Sequence, residues 1–178
     1  MTDDPTLPIS LRPATEDDLP MLESFLADPQ AVGPFQWKGW SDPGVWRRRW
    51  AECRLLDGVS NILIVHEGDT RCGLVGWRRE RTAGTSHCWN MGAQLLPSAT
   101  GRGIGTRAQL LLVHSLFESD PIPRIEADTE VTNVAERRSL EKCGFTQEGV
   151  MRSRAFRAGA WRDIARYSIL RDDPLPPL

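Results

Sequence analysis

The chain has 178 residues, 40% of them hydrophobic, with a formal net charge of -2. That length suits one domain with a core of useful size, and the composition excludes a disordered chain. The small negative charge argues against a general nucleic-acid binder, whose affinity draws on excess Lys and Arg; the local cationic runs "WRRRW" (Trp46–Trp50) and "RRER" (Arg78–Arg81) read as solvated faces.

The first eight residues and the last six, "DPLPPL", are Pro-rich and polar and read as loose tails around a domain spanning 9–172. Ile9–Arg12 is a short strand. Thr15 opens a T-x-x-D capping pattern ahead of a helix over Leu19–Asp28, which Pro29 ends. Gly33–Gly44 is a loop rich in Gly, Pro and Trp, and Trp46–Leu56 reads as a second helix. Three strands follow, over Asn61–Gly68, Cys72–Glu80 and Ser86–Leu96, the first two joined as a hairpin. A glycine-rich loop then leads into a helix whose apolar stripe includes Ile104, Ala108, Leu112 and Leu116. Arg124–Glu130 alternates like a strand. Asn133–Gly144 is a short helix with an Asn cap and a Gly stop, and Phe145–Leu170 reads as two strands turning near Ala158–Gly159. The order is β-α-α-β-β-β-α-β-α-β-β, without internal repeats.

Four widely spaced cysteines with no C-x-x-C pair, and three histidines with no ligand ladder, predict no metal site. The N-terminus lacks a basic start and an apolar run, and no stretch is apolar enough to span a bilayer. The expectation is a cytoplasmic protein with reduced thiols and no membrane or nucleic-acid partner.

The segment "ATGRGIGTRAQLLL" (Ala99–Leu112) carries glycines at 101, 103 and 105 immediately before the helical stripe. A helix N-terminus offers unpaired N–H groups and partial positive charge, and glycine lets backbone approach an anion closely. The N–H groups of Arg102, Gly103, Ile104, Gly105 and Thr106 are therefore candidates to hold a pyrophosphate, with Gly101 shaping the turn and the Arg102 side chain adding a contact. Two nucleotide classes fit. Gly103–Ala108 satisfies G-x-G-x-x-A, the dinucleotide fingerprint, with Glu126 or Asp128 near the right distance for a ribose partner. An NAD(P)-dependent oxidoreductase is thus one reading, although the chain after Ala108 supplies few parallel β-α units.

The second reading comes from a resemblance that runs from about Leu11 to Tyr167. "LRPATEDDLPML" resembles the first strand and helix of the Gcn5-related N-acetyltransferases (GNAT). "GAQLLPSATGRGIGTRAQLLL" resembles their acetyl-CoA segment, "NVAERRSLEKCGFTQEG" resembles their N-x-x-S-x-x-x-x-x-x-x-G-F signature, and "RAGAWRDIARYSIL" looks like the closing hairpin of the ribosomal-protein (RimJ/RimL-type) branch. The resemblance implies an α/β (α+β) GNAT fold. Its mixed, mainly antiparallel sheet would have about seven strands, flanked by about four helices and splayed between strands 4 and 5. It implies acetyl transfer from acetyl-CoA to a primary amine on a peptide N-terminus or a small molecule, and leaves a homodimer open. It places Leu95 and Leu96 along the pantetheine arm and Asn133 near the cofactor. Against the family pattern, Thr100 replaces an Arg or Gln, Glu136 a Ser, Leu140 a Tyr acid, and Asn90 a Glu. The catalytic candidates are accordingly Asn90 (positioning), Asp128 and Glu136 (bases). Trp37 and Trp40, in the loop before the second helix, are candidates for the acceptor wall. The missing Tyr and Glu keep a non-catalytic CoA-binding module as a third reading.

Overall fold

The computed structural model describes residues 8–178, so the expected N-terminal tail lies almost wholly outside the described residues. The elements are β1 (Ile9–Pro13), α1 (Leu19–Ala27), α2 (Gly44–Cys53), β2 (Ser60–Glu67), β3 (Thr70–Arg81), β4 (His87–Leu95), α3 (Ile104–Ser119), β5 (Arg124–Glu130), α4 (Val134–Lys142), β6 (Thr146–Arg157) and β7 (Ala160–Leu170). They form a seven-stranded sheet in the order β1-β2-β3-β4-β5-β7-β6. Every neighbouring pair is antiparallel except β4 and β5. The architecture is the splayed α/β sheet anticipated from sequence.

Alternation along the strands divides the core between two faces. Ile62, Ile64 and Leu74 join Leu19, Leu22 and Phe25 of α1, with Trp46 and Trp50 of α2 packed against them. Val65 and Val75 point the other way, into a cluster with Ile104, Ala108, Leu112 and Leu116 of α3. The T-x-x-D pattern does cap, but through a short 3-10 turn ahead of α1. Thr15 N and Oγ1 donate to Asp18 Oδ2 at 2.7 and 3.0 Å. Arg12 grips the same fully buried carboxylate from Nη1 and Nη2 at 2.7 and 2.9 Å. Although burial opposes ionisation, these bonds outweigh it and hold Asp18 at about 2.

Most boundaries shift by a residue or two from the sequence reading, and two departures change the packing. The second helix stops at Cys53 because Arg54 and Leu55 turn left-handed, at φ +55 and +62. Leu55 is thereby driven into the core, where it is fully buried. The expected loose C-terminal tail is docked: Leu175 packs against the α3 cluster, and His114 Nε2 lies 2.9 Å from the Pro176 carbonyl oxygen. Between β6 and β7, Ala158 and Gly159 both take positive φ, as a tight hairpin turn requires. Among the described residues, no helix is long and apolar enough to cross a membrane.

The end of β4 is seated on β3 at Gly73, which adopts φ +147. A Cβ there would fall 2.2 Å from the Gln94 carbonyl oxygen and 2.7 Å from Leu95 Cα. Gly73→Ala is expected to lower the unfolding free energy by about 3 kcal/mol or more; a urea melt with an unchanged midpoint would refute this.

Candidate functional site

β4 and β5 run side by side for only three residue pairs, Trp89–Ile125, Asn90–Glu126 and Met91–Ala127. Beyond Met91 they part, and a cavity of about 570 Å³ opens between them. On the β3 side of β4, Leu96 N donates to Cys72 O at 2.9 Å. Two-residue alternation then turns the backbone groups of Leu95 and Ala93 towards the gap. Ala93 O accepts from Gln36 Nε2 at 3.1 Å. Leu95 therefore stands on the edge facing the gap, whereas the N–H of Leu96 is spent inside the sheet.

Just beyond β4, Gly101 and Gly103 adopt φ +75 and +76, conformations that cost a side-chain-bearing residue energy. Gly103 is the N-cap of α3 and supplies no side-chain acceptor. The first-turn N–H groups of Ile104, Gly105 and Thr106 have no partner within the helix. These amides gather at the head of a 16-residue helix, where the helix dipole favours negative charge. Gly105 serves differently from the other two: it lies within the helix, where a Cβ would sit 3.4 Å from Leu95 Cδ1. The Arg102 side chain is half-exposed and engaged by Glu67, Nη2 to Oε2 at 2.5 Å.

The opposite wall is α4. Asn133 Oδ1 accepts from Glu136 N at 3.3 Å, so Asn133 caps the helix while also lining the cavity. Ser139 of α4 ties the walls together. Its Oγ lies 2.8 Å from Thr106 Oγ1 and 3.1 Å from Gln109 Nε2. Leu140 is fully buried in the core. The single tyrosine, Tyr167, is also buried, its hydroxyl bonded to Arg137, Glu141 and Gln147 and away from the cavity.

Three carboxylates line the cavity, and their partners separate them. Asp128 accepts a fork from Arg166, both bonds at 2.9 Å, and a third bond from Asn90 Nδ2 at 3.1 Å. Glu130 is held by Arg157 Nε and, at 2.7 Å, by Nη2; that bonding lowers its pKa. Glu136 has only Gln109 Nε2, at 3.4 Å. Burial pushes Glu136 up to about 7, with the Gln109 bond pulling weakly the other way. All three catalytic candidates thus meet at one cavity, but Asp128 has its oxygens occupied and Glu136 does not.

Trp37 and Trp40 are not part of the cavity wall. Their rings meet edge to face at 5.2 Å, Trp37 packs on the α1 cluster, and Trp40 is 76% exposed. The same loop instead contributes Phe35, Gln36 and Lys38. Trp77, Arg154 and Phe156 also line the cavity and were missed. Trp77 and Phe156 carry no signal beyond a place on a strand, and Arg154 reaches the cavity through a bulge that periodicity conceals.

The sequence model of the acetyltransferase (GNAT) domain matches residues 9–146. The chain belongs to the GNAT acetyltransferase family. A probable N-acetyltransferase, YjcK, of Bacillus subtilis (strain 168) is 38% identical over 73 residues, covering 41% of this chain and 40% of that protein. In fold, this GNAT chain is similar to a spermidine N-acetyltransferase from Vibrio cholerae, solved with CoA and spermine. The TM-score is 0.80 at 17% identity, over 93% of this chain and 96% of the other. It is similar also to a ribosomal-protein-alanine N-acetyltransferase from Brucella melitensis, with a TM-score of 0.76 at 24% identity, over 90% and 99% of the two chains. The G-x-G-x-x-A match is accounted for by the GNAT sheet: after β5 the chain makes one helix and an antiparallel hairpin, not the parallel series a dinucleotide fold needs.

Because the Glu136 pKa is raised from 4.5 to about 7, its charge opposes folding. The penalty is absent below the unfolded pKa, grows as pH rises through the interval, and is complete above the folded pKa. Glu136→Gln is expected to be more stable than the parent at pH 8 by about 2–3 kcal/mol, and equal to it near pH 4. Denaturant melts at the two pH values would show a pH-independent difference if this is wrong.

Proposed function

We propose that this protein transfers an acetyl group from acetyl-CoA directly to a primary amine. The observation that carries the reading is the free edge of β4 running into an uncapped helix N-terminus. The amides of Ile104, Gly105 and Thr106 would receive the diphosphate, and the Ala93 amide with the edge groups of Leu95 would pair with the pantetheine arm by strand addition. Asn133 would complete the wall from α4. The cradle fits that group: the helix lacks a side-chain cap, and two left-handed glycines shape its approach. The Vibrio cholerae relative holds CoA and spermine, which supports the reading. The RimJ/RimL-type closing hairpin and the Brucella melitensis likeness favour placement in that branch.

For the reaction, the thioester would lie where β4 and β5 part. A β4 amide directed into the gap would stabilise the charge developing on its carbonyl oxygen. The amine must lose a proton to attack. Glu136, near neutrality and without a cation partner, would accept it directly or through one water. Asn90, fixed by Asp128, would orient the amine. The amine nitrogen bonds to the acetyl carbon, the C–S bond breaks, and the thiolate departs with its electron pair and takes up the second proton that the nitrogen sheds as the amide forms. A thiol pKa of about 8.5 makes this feasible without a strong acid, in keeping with a cavity that has no tyrosine. Transfer through an enzyme cysteine is disfavoured, since none of the four cysteines lines the cavity; burial also pushes Cys88 up to about 11 and Cys143 up to about 12.

Acetyl-CoA and CoA are expected to raise the melting temperature, and NAD and NADP to leave it unchanged. Saturation at 100 times Kd is worth about 2.7 kcal/mol. Stabilisation by NAD alone would overturn the assignment. In a thiol-release assay, Glu136→Gln is expected to lower kcat by about 10²-fold and to abolish the rise in kcat centred near pH 7, with little change in KM for acetyl-CoA. An unaltered pH profile would remove Glu136 from its role.

A further inference from the structure

The charges around the cavity do not balance once the internal pairs are removed. Arg157 is consumed by Glu130, and Asp128 by Arg166 from behind. The remaining lining cations are Lys38, Arg78 and Arg154, all exposed, against Glu136 alone. Arg78 has one loose contact, Nη2 to Glu80 Oε2 at 3.5 Å. Among the described residues, no carboxylate pairs with Lys38 or Arg154.

Arg154 is delivered there by a costly piece of backbone. Pairing between β6 and β7 jumps from Met151–Ile164 to Ala155–Arg162, leaving Arg152, Ser153 and Arg154 opposite Asp163 alone. Within this bulge Ser153 takes φ +48, which only small or polar residues tolerate readily. Asp163 Oδ1 holds the distortion by accepting from Ser153 N at 2.8 Å. Bulges beside sites re-aim side chains, and strain is retained where the surroundings enforce it. An unbroken ladder would have carried the strand past this point without it.

We propose that the acceptor is an amine that also bears a carboxylate, and that Arg154, with Lys38 and Arg78 across the mouth, reads that carboxylate. This rests on the acyl-transfer reading above. The guanidinium fork matches a carboxylate in two parallel bonds, whereas a polyamine would meet like charge at the entrance. The cavity, about 570 Å³, is large enough for more than one residue of a peptide. The carboxylate could belong to an acidic side chain close to a peptide N-terminus or to a free amino acid, and both present the same chemistry to Arg154.

The test is a kinetic panel on the full chain with saturating acetyl-CoA. The acceptors are an Ala-Asp-Glu-Leu peptide and its Ala-Asn-Gln-Leu counterpart, both amidated at the C-terminus, with free glutamate and spermine. The acidic peptide or glutamate is expected to lead in kcat/KM, the better of the two identifying the source, with spermine last. Arg154→Gln is expected to lower kcat/KM for the leading acidic acceptor by about 10- to 100-fold, chiefly through KM, while leaving the neutral peptide within about threefold. Arg154→Lys should restore part of the loss, and added salt should raise KM for the acidic acceptor alone. Preference for spermine, or an equal loss on both peptides, overturns this proposal and leaves acyl transfer standing. Thermal stabilisation by acetyl-CoA without turnover of any acceptor overturns both.

Discussion

The parting of β4 from β5 is the constraint on which the rest depends. Parallel neighbours in a sheet normally stay paired, because each exposed amide and carbonyl left behind must find another partner. Here pairing stops after Met91 and Ala127, while each strand remains bound on its outer side, β4 to β3 and β5 to β7. The strands cannot close without breaking those outer ladders. A wedge with polar backbone on its walls is therefore built into the topology, and α3 begins just past its open end.

Electrostatics then sort the side chains within the wedge. Arg157 of β6 and Arg166 of β7 occupy the oxygens of Glu130 and Asp128, so these two carboxylates each face a cation. Glu136 escapes because it comes from the other wall, on the first turn of α4, where its neighbour is a neutral amide from α3. Depositing one uncompensated acid in a half-buried place costs stability, and such costs concentrate where chemistry is done.

Much of this was legible in the sequence. Hydrophobic alternation and glycine turns placed every strand and helix in order, since those signals are local. The glycine loop was legible for the same reason: Gly101 and Gly103 are conformational requirements that show directly as residue identity. Asn90, Asp128 and Glu136 could be gathered through the family resemblance, but their division of labour could not. It depends on Arg157 and Arg166, which come from far along the chain. The aromatic wall was misassigned because Trp37 and Trp40 look exceptional in composition, while the residues that face inward, Phe35 and Gln36, look ordinary. Arg154 was hidden because a bulge breaks the two-residue rhythm by which strand faces are read.

The short run from Pro34 to Gln36 touches both arms of the wedge. Gln36 bonds to Ala93 O on β4, and Pro34 O accepts from Arg157, which in turn clasps Glu130 on β5. On the proposed reading this cross-tie would belong to the acceptor side, yet one of its anchors is the very strand edge along which a thioester arm would lie. A ligand that moved this tie from one side would therefore act on the other. By thermodynamic reciprocity, whatever loosening or tightening one ligand imposes on this tie changes the partner ligand's affinity by the same factor.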